Sequence, residues 1–392
     1  MTDWIQFREE MPVTKEIIYL NHAAIGPLTQ SAQMVWKSII DSQARGFIDL
    51  DWKEIISGFP KLRTEIAQLI HASVDEIAPI TTAAHGIDII LGSLNWHHDS
   101  SKGILLNDME FTTNSFPYQQ VARKYNLPLH VVKSKRDKET EALYLDLGDF
   151  ESILVSNPIR LVVISHVQFM NGFTIDLQKL IDMTHVHGAM ILVDAFQSVG
   201  ALDVDVHALD VDFLISGGYK WCLGPTSSGF LFVRKSLIGE LQPLHVGAFS
   251  EAPPVNMVHH EFTPHTSALR FTASLYHQCL ALTPAIKLIN DYGITNIEHR
   301  ILQLTDYLVE QFSRHLPSIQ LSSVRTTKQN KSGIVLYTFP DTIKPSKLVK
   351  KLAEQKIIVA LRAGGLRFSP HCYNTEQEID VLVTSLKSLG IT

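Results

Sequence analysis

An α/β fold with a mostly parallel sheet in a large domain, followed by a smaller α+β domain, is predicted from three features of this 392-residue chain. The chain is longer than one ordinary domain, for which ~150 residues is a soft guide. Between about residues 60 and 235, short apolar runs rich in β-branched residues alternate with stretches whose apolar positions have helical spacing. After about residue 265 that alternation gives way to a long helical stretch and then short mixed elements.

The strand-like runs are Gly103–Asn107, Leu129–Val132, Leu161–Ser165, Met190–Asp194, Phe213–Ser216 and Gly229–Val233. Runs apolar on every position suit strands buried on both faces, as in a parallel sheet. Helices are expected around 29–45, 59–72, 84–95, 115–125 and 177–187. A single helical stretch is expected over 272–316, where Leu282, Ile286, Ile289 and Ile297 keep the spacing. Strands near 318–323 and 332–339, a helix at 345–355, strands near 357–361 and 366–368, and a closing helix at 375–388 complete the second domain. The Pro- and His-containing segment 245–268 reads as an irregular connection or an active-site loop. The division drawn from this is an amino-terminal arm, 1–28, a large domain, 29–260, and a small domain, 261–392.

Composition narrows the function. Hydrophobic residues make up 45% and charged residues 19%, ordinary globular usage, and the net charge of -6 offers no broad basic field for nucleic acid or an anionic membrane. Three cysteines, Cys222, Cys279 and Cys372, show no C-x-x-C spacing, so neither a zinc site nor a disulfide framework is indicated. No apolar run reaches the ~20 residues of a membrane span, and the amino terminus lacks the basic-then-apolar pattern of a signal peptide. A cytoplasmic protein is expected. The 18 histidines, among them His22, His166, His245, His260 and His371, show no H-x-x-x-H pair on an expected helix, so no metal is assigned.

The chemistry concentrates in Ile191-Leu-Val-Asp194-Ala-Phe-Gln197 and Ser216-Gly-Gly-Tyr219-Lys220-Trp-Cys-Leu-Gly-Pro225. Asp194 closes an apolar strand, at the end where open α/β sheets bind ligands, and a carboxylate there calls for a cationic partner. Lys220 follows a strand and a Gly-Gly turn, which lets the backbone approach a ligand and aims an amine into a pocket. An amine held neutral by burial can act as a Schiff-base nucleophile. Singly, Asp194 reads as a helix cap and Lys220 as a solvated loop residue; their spacing with Gln197 carries the functional reading.

That set resembles the cofactor core of the class V aminotransferases, the pyridoxal 5'-phosphate (PLP)-dependent group that includes cysteine desulfurases, isopenicillin N epimerase and kynureninase. The likeness extends along the chain through Tyr19–Pro27, Asp108–Asn114, Ser165–Gly172 and Leu366–Ile379. It implies fold type I, the aspartate aminotransferase-like fold of PLP-dependent transferases. It also implies that Lys220 forms the Schiff base and shuttles protons, Asp194 keeps the ring nitrogen protonated, and Gln197 bonds the ring's phenolic oxygen. Phe111 would stack on the ring where many relatives place His. Ser216 and the backbone amides of Ala83 and Ala84 would hold the phosphate. Arg367 would grip the substrate carboxylate, with Asn21, His22 and His166 as active-site neighbours. Where relatives have a Gly-Thr-Pro-Asn loop reaching the partner's phosphate, this chain has Ala273–His277, so Ser274 is the candidate contact in a homodimer with shared active sites.

The resemblance leaves the reaction open. The stretch Leu361–Arg367 leads up to that arginine, where desulfurases carry a mobile cysteine, and contains none. The leading expectation is therefore an aminotransferase acting on a small amino acid. A C–S or other β-lyase, a desulfurase-like enzyme, an epimerase and a kynureninase-like hydrolase are the alternatives. A PLP-binding regulatory protein is a non-enzymatic reading, disfavoured by Lys220 and Arg367 together. A dinucleotide dehydrogenase lacks its G-x-G-x-x-G.

Overall fold

The computed structural model describes residues 3–46, 52–97, 102–252, 261–274 and 276–392. Seven strands make the large sheet: β1 Ile77–Ile80, β2 Gly103–Asn107, β3 Leu129–Val132, β4 Ile159–Ser165, β5 Met190–Asp194, β6 Phe213–Gly217 and β7 Gly229–Val233. Their spatial order is β1-β7-β6-β5-β4-β2-β3. β6, β5, β4, β2 and β3 run parallel, and only β7 is antiparallel to its two neighbours. Every residue of β2, β6 and β7 is buried, which is why these runs are continuously apolar rather than alternating.

Helices cover both faces. Leu105, Val162, Ile164, Ile191, Val193 and Leu214 point into one core, whereas Ile104, Leu161, Val163, Leu192, Phe213 and Ile215 point into the other. The Ala83–Ser93 helix lies on the second face, so close that a Cβ on Gly86 would meet Ile215 at 2.8 Å. The carboxyl ends of the parallel strands, Asn107, Ser165, Asp194 and Gly217, therefore gather along one rim of the sheet.

The second sheet is antiparallel, ordered β8-β9-β11-β10 from Gln320–Leu321, Val335–Thr338, Gly365–Phe368 and Ala360–Arg362. The amino-terminal segment is stitched to this part of the chain. Ile18 and Tyr19 pair in parallel with Ile357 and Ile358, and Asn21 bridges to Ser369.

One expectation needs correction. The stretch 272–316 is not one helix: short 3-10 turns lead to Leu282–Tyr292, and Gly293 at φ +80° separates it from Ile294–His315. Gly adopts that conformation at no steric cost, so the chain changes direction there despite unbroken apolar spacing. In the connection expected at 245–268, residues 253–260, His260 among them, lie outside the described residues. The flanks form a 3-10 turn at Ala248–Ser250 and a bridge between Glu251 and Pro264. Among the described residues no helix is long and apolar enough to cross a membrane.

One glycine fixes the backbone of the lysine segment. Gly200 has φ +91°, and a Cβ there would lie 2.7 Å from both the carbonyl carbon and oxygen of Trp221. The Gly200→Ala variant is expected to lose about 1–3 kcal/mol from backbone strain alone, with the clash adding to it. A denaturant-unfolding midpoint well below that of the parent protein would show it.

Candidate active site

A cavity of about 340 Å³ opens at the rim where the parallel strands end. That volume falls within the roughly 300–1,000 Å³ of small-molecule sites. Its walls include Asp194, Gln197 and Lys220, together with Thr82, Ala83 and Ala84 at a helix start and Phe111 and Phe169 across from them.

Asp194 ends β5 and is nearly inaccessible. Its Oδ1 accepts from the Phe196 amide at 2.9 Å. Burial pushes its carboxyl up to about 6, and the Glu110 charge adds to the rise, against the lowering by the Phe196 amide and Lys220. A carboxylate strained upward in this way gains most from an adjoining cation, which is what a protonated ring nitrogen supplies.

Lys220 is held from behind by the amino-terminal turn: the Gly26 amide donates to the Tyr219 carbonyl at 2.7 Å, and a Cβ on Gly26 would overlap the Lys220 carbonyl oxygen. Its ammonium sits 5.4 Å from the Phe196 ring centroid. Burial pulls its pKa down to about 8, and the charges of Arg367 and Arg362 lower it further while Asp194 opposes them. The neutral form, which a Schiff-base nucleophile requires, is thus far more accessible near physiological pH than it is for a solvated lysine.

Gln197 is oriented at both ends of its amide. Nε2 donates to the Ala23 carbonyl at 2.8 Å, and Oε1 accepts from Trp221 Nε1 at 2.9 Å. Its second amide hydrogen remains for an oxygen in the cavity. Phe111 is half exposed at the mouth and packs edge-on against Phe169, with centroids 5.1 Å apart. Ala83 and Ala84 stand in the first turn of the Ala83–Ser93 helix, whose Thr82 cap accepts from the His85 amide at 3.1 Å. The remaining first-turn amides are unsatisfied donors suited to an anion.

Arg367, on β11, does not wall the cavity but lies directly behind it. Its Nη1 donates to the Phe169 carbonyl, while Nε and Nη2 are buried with no partner. Those two nitrogens form the edge with which a guanidinium holds a carboxylate through parallel bonds. Burial, and then the Arg362 charge, pull its pKa down to about 9.

Other expected residues fall elsewhere. Ser216 is fully buried, with its hydroxyl directed to the Ala195 carbonyl at 3.5 Å. Side chains alternate along a strand, so Ser216 takes the face of Leu214, opposite the Ala83–Ser93 helix, which packs against Ile215. The residue on the helix side is Gly217. His22 is also fully buried; its two ring nitrogens meet the Ser369 carbonyl at 2.9 Å and the Tyr373 hydroxyl at 2.7 Å. Burial holds its pKa well below the ordinary value, which makes it a neutral core group joining the amino-terminal turn to the small sheet. Asn21 is half-buried with Oδ1 unpartnered, and it too stands outside the cavity wall. His166 donates its amide to the Asp194 carbonyl at 3.0 Å and does not wall the cavity; burial pulls its ring down to about 4. Ser274 is exposed and away from this chain's cavity.

The residue that sequence reading missed is Glu110. It accepts five hydrogen bonds: from Asn107 at 2.6 Å, Asn114 at 2.7 Å, the Ser165 amide at 2.8 Å, the Ser165 hydroxyl and Gln168 at 3.2 Å. The carboxylate ties the loop carrying Phe111 to the end of β4. A signal existed, since Glu110 and Asn114 flank Phe111 in a polar run directly after an apolar strand.

The donors and acceptors present fit PLP: an acid for the ring nitrogen, an amide for the phenolic oxygen, an amine for the aldehyde, and a helix start for the phosphate. Comparison with known proteins agrees. A probable cysteine desulfurase of Methanothermobacter thermautotrophicus is 26% identical, over 98% of this chain and 97% of that protein. Isopenicillin N epimerase of Streptomyces clavuligerus is 26% identical over 99% of each. A solved structure of a C-DES lysine-to-alanine mutant, with glycine covalently linked to its PLP cofactor, superposes with a TM-score of 0.86. It is 23% identical and covers 97% of this chain and 98% of that one, a likeness that establishes the fold. The aminotransferase class-V family matches residues 42–382, and the chain belongs to that family of PLP-dependent enzymes.

Proposed function

We propose that this protein uses PLP to eliminate a sulfur leaving group from the β-carbon of a small amino acid, without passing the sulfur to a cysteine of its own. The carrying observation is the hairpin before Arg367. β10 and β11 are joined through Ala363 and Gly364 alone, which leaves no loop on which a mobile cysteine could travel. All three cysteines are fully buried, and burial pushes the thiols of Cys222 and Cys279 up to about 12 and that of Cys372 well above its ordinary value. None is a thiolate able to attack sulfur.

The cofactor, when bound, supplies the electron sink that stabilises negative charge at the substrate's α-carbon. The chain supplies the rest. Asp194 balances the ring's positive charge. Arg367, anchored by Nη1, offers its Nε–Nη2 edge to the α-carboxylate and so fixes which α-carbon bond faces Lys220. Lys220 then takes the α-proton. Beside Lys220 and Asp194, the titratable group described in the cavity wall is Tyr219, whose acidity burial weakens, so no strong second acid stands ready for the departing group. A thiolate leaves without one, because its conjugate thiol has a pKa of roughly 8.5; hydroxide does not. The relatives named cysteine desulfurases support a sulfur substrate.

Transamination is the second reading, because Lys220 alone can carry the α-proton to the cofactor and needs no other group. Products distinguish the two. Holoenzyme incubated with cystine is expected to yield pyruvate, ammonia and cysteine persulfide; stoichiometric pyridoxamine phosphate with a keto acid would instead establish transamination.

Lys220→Ala is expected to lower turnover by about 10²–10⁴-fold, the usual contribution of a positioned proton-transfer group. The pH dependence of cofactor uptake follows from the depressed amine. Attack on the aldehyde needs neutral Lys220, so the uptake rate should rise with pH and level off above about 8. Arg367 lowers that pKa, so removing its charge in Arg367→Gln should move the midpoint to higher pH. Stopped-flow absorbance of apo-protein mixed with PLP measures both.

A further inference from the structure

The turn that removes the cysteine loop also places a second arginine. Ala363 and Gly364 both have positive φ, +48° and +76°, the mirror-image turn geometry that matches the twist of paired strands. It fixes the register of β10 on β11, with Ala360 opposite Arg367 and Arg362 opposite Gly365. Side chains alternate along a strand, so Arg362 shares a face with Ala360 and therefore with Arg367. The two arginines are diagonal neighbours, roughly 7–8 Å apart at the backbone and within reach of long side chains.

Among the described residues neither guanidinium is ion-paired. Arg362 is exposed, and its Nη1 donates to the adjacent Leu361 carbonyl at 2.7 Å. Arg367 is 1% exposed, with two unpartnered N–H groups. Burial is the larger cause of the lowered pKa at both Arg367 and Lys220, and the charge of Arg362 adds to it at each. The charges of Arg362 and Arg367 thus both act on Lys220, with Asp194 opposing them.

We propose that Arg362 and Arg367 form a two-carboxylate recognition site, so that the substrate is an amino acid whose side chain ends in a second carboxylate. This rests on the amino-acid site described above. Arg367 takes the α-carboxylate on its buried edge, and Arg362, exposed on the same face of the hairpin, takes the distal one. A dianion neutralises both guanidiniums at once, whereas a monoanion leaves the rim arginine unmatched.

Equilibrium binding tests this without turnover. Succinate and butyrate, equal in length and differing by one carboxylate, are titrated calorimetrically into the protein with and without PLP. Succinate is expected to bind about tenfold more tightly, the lower end of what a charge-assisted hydrogen bond contributes. Arg362→Gln is expected to bring the ratio close to one, Arg362→Lys to restore part of it, and Arg367→Gln to weaken both ligands. Equal affinities in the parent protein, or a preference for succinate that survives Arg362→Gln, would overturn the proposal. The proposed elimination fails separately: pyridoxamine formation from cystine would exclude it and leave the succinate preference standing.

Discussion

The site depends on a primary amine and a carboxylate kept out of water beside the same cavity. Desolvation disfavours the charged form of each, so Lys220 is pulled down while Asp194 is pushed up. Neither shift is useful alone. The neutral amine is a nucleophile, and the destabilised carboxylate favours a bound cation over solvent. A cofactor with an aldehyde at one position of its ring and a basic nitrogen at another satisfies both groups together. Much of the surrounding structure serves to hold these two groups while keeping water away.

Three separate parts of the chain do the holding. The amino-terminal turn presses on the Lys220 backbone through Gly26 and anchors Gln197 through the Ala23 carbonyl. Trp221, beside the lysine, bonds the other end of Gln197, and the carbonyl of Trp221 is met by His371 at 3.0 Å. His371 in turn lies just past β11, which carries Arg367. Buried polar contacts therefore tie Gln197 and the Lys220 segment to the chain just past Arg367. Neutral imidazoles at His22 and His371 suit this role, since burial keeps both from protonating at physiological pH. Glu110 does the corresponding work on the opposite wall, where its two oxygens collect five donors and fix the loop bearing Phe111.

What can be read in the sequence follows from what kind of signal each feature leaves. The buried strands β2 and β4 to β7 stand out because burial on both faces demands largely continuous apolar runs. Strand β1, Ile77–Ile80, leaves no such mark: it is four residues long and contains Pro79, which weakens any strand pattern. Asp194, Gln197 and Lys220 are legible because their spacing ties them to strand ends. For Ser216 the motif misleads, and the reason is equally simple. A motif locates a residue along the chain, but a shift of one position in a strand changes the face, and only the packing of the Ala83–Ser93 helix against Ile215 reveals which face matters. His22 sits in the right segment with its side chain turned to the core, a distinction that depends on contacts with Ser369 and Tyr373, about 350 positions away in sequence.

The hairpin at Arg362–Gly365 connects reaction and specificity. A desulfurase-type relay needs a loop long enough to bring a thiol to the substrate and carry it away. A two-residue turn cannot do this, because its register is set by strand pairing and its ends move only with the sheet. The same rigidity makes the position dependable for a static contact. Arg362 is held on the face of Arg367 by backbone hydrogen bonds and not by its own side-chain packing, so its head can remain in water and still meet a ligand bound beside Arg367. Shortening the loop removes a moving nucleophile and substitutes a fixed charge. In the proposed elimination, a site built this way would accept or reject the far end of its substrate before chemistry begins, and leave the departing group to solvent instead of to the protein.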